Sequence, residues 1–327
     1  MPSSQPKRRT LLLGGIGLAA TLAGCRFDDP TVTPRAGAGA APSASPTSDA
    51  TVVAAQNAED AMATWLAGLP LVQAAGAPIP AGMVVVLTAL RDAHRAHATL
   101  LGQPDPLSPV AGTPTAVAVA PKVPGTWDAL VGELTTRQTA LAASHRTACL
   151  AATDPSHALL FASLHAFATT QESLTLAVTK GSVQPAHVQV GNRLDALGVL
   201  LGHVRALAQG LQIGAGQLPL PSPLYTPART RLAAVWTVRD SLEKSILAAG
   251  GTITPAPASY RMPGGFSTPA EIQKTWGALE TTVLNGWARL AAASTGNDRA
   301  AALDAMAPQA AAVQATGTSL TWWPGWA

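Results

Sequence analysis

The stretch LRDAHRAHATLLG, residues 90–102, places His94 and His97 three apart, which on a helix puts both imidazoles on one side. They continue a stripe of Met83, Leu87, Leu90 and Leu101 in alternating steps of four and three, so they face the same way as its apolar residues. The same stepping in Val52, Ala55, Glu59, Met62, Leu66 and Leu69 turns one carboxylate inward. His145 lies four residues after Leu141 and four before Cys149, and His165 shares a flank with Phe161, Ala168 and Glu172. Imidazole and carboxylate together suit a zinc-, copper- or iron-type ion.

Four helices must bring these groups together: 51–74, 80–101, 125–152 and 156–180. A second set follows at 186–213, 227–249, 268–295 and 298–316. Pro78, Pro80, Asp154-Pro155, Gly181, Gly250-Gly251 and Gly296-Asn297 punctuate the junctions. In each set a long Pro/Gly-rich link separates the second helix from the third, the arrangement of a ferritin-like bundle with one crossover. The sequence thus predicts an all-α protein of two tandem ferritin-like four-helix bundles, at 51–184 and 185–327. At ~1.5 Å per residue, Glu59, His94, His97, His145 and His165 fall roughly 6–15 Å above one end of the first bundle. Three alternatives stand: a shared metal layer, a buried polar cluster without metal, or separate histidines bonded to backbone and water.

Composition supports helices. Apolar residues make up 47% and aromatics only 4%, too few strand formers for a large sheet, while Ala and Leu dominate and suit close helix packing. The formal charge of +3 comes from Lys7, Arg8 and Arg9; without them 18 of the 21 basic residues remain against 18 acidic ones. A neutral chain has no footprint for a phosphate backbone, so nucleic acid is not an expected partner.

Residues 1–25 are an export address. A basic KRR precedes the 14-residue apolar run 11–24, which is short for a membrane span. Leu22-Ala23-Gly24-Cys25 resembles a bacterial lipobox, which implies lipidation of Cys25. Arg8-Arg9 fits a twin-arginine signal, by which a chain leaves the cytoplasm folded, though any basic leader can contain such a pair. Residues 26–50, rich in Pro, Ala, Gly, Ser and Thr, read as a disordered tether.

The second half is similar to a ferritin-like family of unknown function found in exported proteins of high-GC Gram-positive bacteria. The stretches that carry this are LLGHVRALAQG (200–210), VRDSLEKSILAAGG with PASYRMP (238–263), WGALE ending at Glu280 and WPG (323–325), preceded by the hairpin ACLAATDPSHALLFASL (148–164). The resemblance spans about residues 125–325 and implies helical bundles with no fixed activity. Departures are clear: Gly202-His203 replaces a Glu-His pair, Val235 replaces a His ahead of Arg239 and Asp240, and Ala168 and Gln171 stand where Glu and His are usual. No Glu-x-x-His occurs in the chain, so a carboxylate-bridged di-iron centre is excluded.

Arg239 and Asp240, being adjacent, face different directions on the helix, and their pairing cannot be assumed. Tyr260 is expected to dock on the bundle, and Cys149 to be a buried apolar side chain rather than a reactive thiol. TWWPGWA holds three of the eight tryptophans, to cap the open end of the second bundle or to meet a partner or lipid. Together these features predict a lipid-anchored component of the extracytoplasmic membrane face, binding or structural rather than catalytic, with an envelope protein as partner and no expected cofactor. The alternative is an exported metal-binding protein or oxidoreductase with its site at Glu59, His94, His97, His145 and His165.

Overall fold

A computed structural model describes residues 32–34, 49–68, 79–80, 82–108, 124–171 and 185–326. The described residues form eight helices: α1 (Ala50–Ala67), α2 (Met83–Leu101), α3 (Trp127–Ala151), α4 (Pro155–Thr170), α5 (Arg193–Gln217), α6 (Tyr225–Ala248), α7 (Pro269–Ala293) and α8 (Gly296–Ala315). A short strand β1 (Val32–Pro34) pairs antiparallel with β2 (Val188–Val190), Val32 opposite Val190. Among the described residues the structure is all-α apart from this pair.

Local chemistry sets the helix starts. Asp49, Thr126, Asp154, Asn192 and Thr268 each accept a first-turn amide N–H, and Pro155 and Pro269 occupy first-turn positions where no donor is needed. α1 ends at Ala67 rather than at residue 74, because Gly68 caps it and Pro70 follows. At 186–190 the expected helix gives way to β2. Val188 and Val190 are β-branched and alternate with Gln189, and Asn192 then caps α5. The expected tether therefore contains one ordered strand, held at the junction of the two sets of helices.

α1 pairs with α2, α3 with α4, α5 with both α6 and α7, and α7 with α8. The two halves do not keep separate interiors. α4 packs on α7 and α8, and one apolar core runs from Leu159, Leu160 and Cys149 through Leu200, Leu207 and Leu284 to Leu303 and Met306. A smaller core of Met62, Trp65, Leu66, Leu87, Leu90, Leu130, Leu134 and Phe167 fills the far end of the first four helices.

Arg299 secures the junction. It is buried, and its guanidinium donates to the carbonyls of Cys149 (2.8 Å) and Ala152 (2.6 Å) at the end of α3, and to those of Ala291 and Ser294 at the end of α7. The Cys149 and Ala291 carbonyls also accept from the capping N–H groups of Ala152 and Ser294, whose own carbonyls have Arg299 as donor, and a cation suits the negative helix terminus. Arg146 and Asp304 add an ion pair at 3.0 Å between α3 and α8.

Candidate metal centre

Glu59 comes from α1, His94 and His97 from α2, and His145 from α3; all four are fully buried. His94 Nδ1 lies 2.5 Å and His97 Nδ1 3.3 Å from Glu59 Oε2, and His145 Nε2 donates to Glu59 Oε1 at 2.8 Å. Ligand-type atoms of Glu59, His94 and His97 all lie within 4.8 Å of one another, the metal-like grouping of this kind among the described residues. Three of the expected cluster members thus form the core of a site, and His145 orients its carboxylate.

His165 does not join them. Its Nδ1–H donates to the Ala142 carbonyl at 2.9 Å, and it shares no hydrogen bond with Glu59. Phe167 is the α4 residue that reaches the layer, its ring lying edge-on to His94 and His97 with centroids 5.5 and 4.7 Å away. Two residues turn a helix by about 200°, so His165 points elsewhere. Glu172 lies outside the described residues, as do Cys25, Arg8, Arg9, Leu22, Ala23 and Gly24.

The outer nitrogens matter as much as the inner ones. His97 Nε2–H donates to the Trp322 carbonyl at 2.8 Å, which leaves its Nδ1 lone pair facing Glu59. His94 Nε2 lies 2.9 Å from Gln138 Nε2, while Gln138 Oε1 is buried without a partner. The two ends of a carboxamide are alike in shape, so the amide can take either orientation in its pocket. Turning the amide over lets His94 Nε2–H donate to Gln138 Oε1, satisfies that oxygen, and frees the His94 Nδ1 lone pair. Both imidazoles then have the arrangement usual in metal ligands, one nitrogen toward the ion and the other N–H held by an oxygen. The Glu59 carboxylate, bonded by His145, has the support that such a ligand would need.

Without a metal, His97 faces an acceptor at each ring nitrogen, Glu59 Oε2 at one and the Trp322 carbonyl at the other. The 3.3 Å between His97 Nδ1 and Glu59 Oε2 is already the spacing of two ligands round a tetrahedral ion with bonds of ~2.0–2.1 Å. The His94–Glu59 contact is a short charge-assisted hydrogen bond and would open by about 1 Å to admit the ion.

Burial works against the Glu59 carboxylate ionising, but the surrounding histidines outweigh it and hold Glu59 well below the usual carboxylate range. Burial lowers His94, only partly offset by Glu59, which favours the uncharged imidazole that a metal ligand needs.

Gln138 and the Trp322 carbonyl went unforeseen. Gln138 had a signal, since it shares a stripe with Leu134, Leu141 and His145. Trp322 had none, being far along the chain from the first four helices. The C-terminal tail does not cap an open end of the second set: Trp323 and Trp326 are buried, and the Trp323 ring lies 4.6 Å from that of His97.

The second set has its own buried carboxylate, Glu280. Arg231 grips both its oxygens at 2.8 and 2.7 Å, and Gln309 donates to it at 2.7 Å. A fixed cation already fills the role a metal would play there. Arg239 and Asp240 do pair, at 2.7 Å, because the long arginine folds back on its neighbour. That pair is solvent-exposed and contributes little. The Tyr260 ring packs partly buried against the core, and its amide donates to Gln209 Oε1. Cys149 is buried, its thiol pushed up to about 12 by burial, and it donates to the Ala158 carbonyl. No described helix is long and apolar enough to cross a membrane.

Residues 217–327 match a family model described as Domain of unknown function (DUF4439). The match takes in α6, α7, α8 and the tail, about the last third of the chain and less than the resemblance read over 125–325. The histidine–glutamate cluster lies wholly outside it, although the Trp322 carbonyl that holds His97 lies within. No curated protein and no solved structure matches the chain.

Proposed function

We propose that this protein is a lipid-anchored, extracytoplasmic helical-bundle protein that binds one transition metal ion among Glu59, His94 and His97, in a structural or storage role rather than a catalytic one. The observation that carries this is the pair of buried imidazoles whose outer nitrogens are held by oxygens while their inner nitrogens converge on one ionised carboxylate. Two imidazoles and a carboxylate, with no thiolate or thioether, favour zinc or ferrous iron over cuprous copper.

Burial speaks against catalysis. A catalytic metal keeps an open position for substrate. Here the ligands are fully buried, and Phe167 and Trp323 lie against their rings. A closed site is loaded as the chain folds. Export in the folded state through Arg8-Arg9, followed by lipidation at Cys25, would deliver such a protein already loaded. The two sets of four helices, each with a long link between its second and third members, support reading both as ferritin-like bundles; the polar layer of one would take a metal and that of the other holds Arg231 instead.

The test is refolding of the metal-free protein with increasing cobalt(II), followed by visible absorption. One equivalent should give the intense d–d bands of a tetrahedral or five-coordinate ion, displaced by zinc. A spectrum of hexa-aqua cobalt throughout would refute the proposal.

A further inference from the structure

The tail that covers the cluster belongs to the other half of the protein. Residues 318–326 run along α7: Thr318 lies so close to Gly277 that a Cβ there would meet its Oγ1 at 1.9 Å, and Gly325 lies so close to Ala288 that a Cβ would meet the Ala288 Cβ at 2.4 Å. Leu320, Trp323 and Trp326 are buried, and Arg289 Nη1 donates to the Gly325 carbonyl at 3.1 Å. The strap then crosses to α2, where the Trp322 carbonyl takes the His97 Nε2–H and Trp323 lies against the imidazole. The Trp322 carbonyl selects the tautomer in which His97 Nδ1 carries the lone pair, and only that tautomer can ligate through Nδ1.

Resting on the metal reading above, we propose that the C-terminal strap is the lid and positioning element of the metal centre, so that strap docking and metal binding strengthen each other. An undocked strap exposes His97 to water and releases its tautomer, so the ion is held less tightly. By reciprocity, an ion bound to His97 Nδ1 makes its Nε2–H a stronger donor and holds the Trp322 carbonyl, and with it the strap, by the same factor. The metal thereby ties residues 318–326 of one half to α1 and α2 of the other.

Gly325→Val separates strap from ligands. Gly325 has φ +93°, which a β-branched residue adopts only with strain, and its Cβ would collide with Ala288, yet it touches no ligand. Trp323→Ala is the second variant, removing only the ring against His97. Zinc affinity is measured by competition with a chromophoric chelator, and strap opening by the rate at which chymotrypsin cleaves within 322–326, read by intact mass. Cleavage follows the population of the open strap.

Zinc should slow cleavage of the wild-type strap at least tenfold, and each variant should bind zinc about 10- to 100-fold more weakly while keeping its helical circular dichroism. One equivalent of zinc bound to the wild type, with cleavage unchanged and both variants binding as tightly, overturns the lid while leaving the metal site intact. A wild-type protein that binds no zinc overturns both.

Discussion

Glu59→Gln separates the two things the buried carboxylate does. In the metal-free protein the change removes charge-assisted bonds from His94 and His145, each contributing about 1.5–3 kcal/mol. It also removes the need to bury an anion, whose desolvation costs several kcal/mol. The new amide can still accept from His145, and its N–H can donate to His94 Nδ1 once His94 gives its own proton to Gln138. These effects oppose one another, so the metal-free variant should stay within ~2 kcal/mol of the parent. With zinc the balance is one-sided, because the only anionic ligand is gone. Free zinc at 100 times the dissociation constant stabilises the parent by about 2.7 kcal/mol, which at roughly 2–4 °C per kcal/mol raises Tm by about 5–11 °C. The assay is thermal unfolding followed by circular dichroism, with and without zinc. The variant should melt close to the metal-free parent and show no zinc-dependent rise. A variant that keeps the parental zinc shift would refute the assignment of Glu59 as a ligand.

Arg299→Met keeps the aliphatic stem but leaves the Ala152 and Ser294 carbonyls without their donor and takes one donor from those of Cys149 and Ala291, and should cost on the order of 3 kcal/mol in urea unfolding. The metal-free protein should lose stability on acidification in two windows. His94 and His165 are lowered from 6.5 by burial, so the unfolded chain binds more protons and stability falls as pH drops below about 6.5. Glu59, held below 4.5 despite its burial, adds a loss below that value as pH falls toward its folded pKa; a flat stability from pH 7.5 to 4 would contradict both. Cys149, with its thiol pushed up to about 12, should resist a disulfide reagent in the folded protein and react at once in guanidinium.

The helices were legible because each carries its own start and stop. Asp154-Pro155 and Gly250-Gly251 announce a start and a stop in a few residues, and the four-three stepping of Leu87, Leu90, His94 and His97 gives the buried face. The inward turn of Glu59 and His145 follows from the same stepping, which is why most of the cluster could be foreseen from three separate segments. His165 could not be excluded that way: in an alanine-rich helix buried nearly all round, the stripe does not say which flank meets which neighbour, and Phe167 takes the place. The shared core and the strap were illegible for another reason. Contacts between Arg299 and Cys149, or between Trp322 and His97, join residues 150 and 225 positions apart, and no local pattern encodes them. Val188–Val190 belongs to a third class, where a three-residue β-branched alternation was too short to stand out beside the helix that follows it.

The metal content of the protein, purified without a chelating tag and set beside a His94→Ala/His97→Ala variant, tests the central claim most directly. Plasma mass spectrometry should find about one equivalent of a transition metal in the parent, and little or none in the variant. A parent that carries none, and takes up none when refolded with zinc or ferrous iron, would contradict the claim and leave Glu59 and its histidines as a polar layer that ties α1, α2 and α3 together.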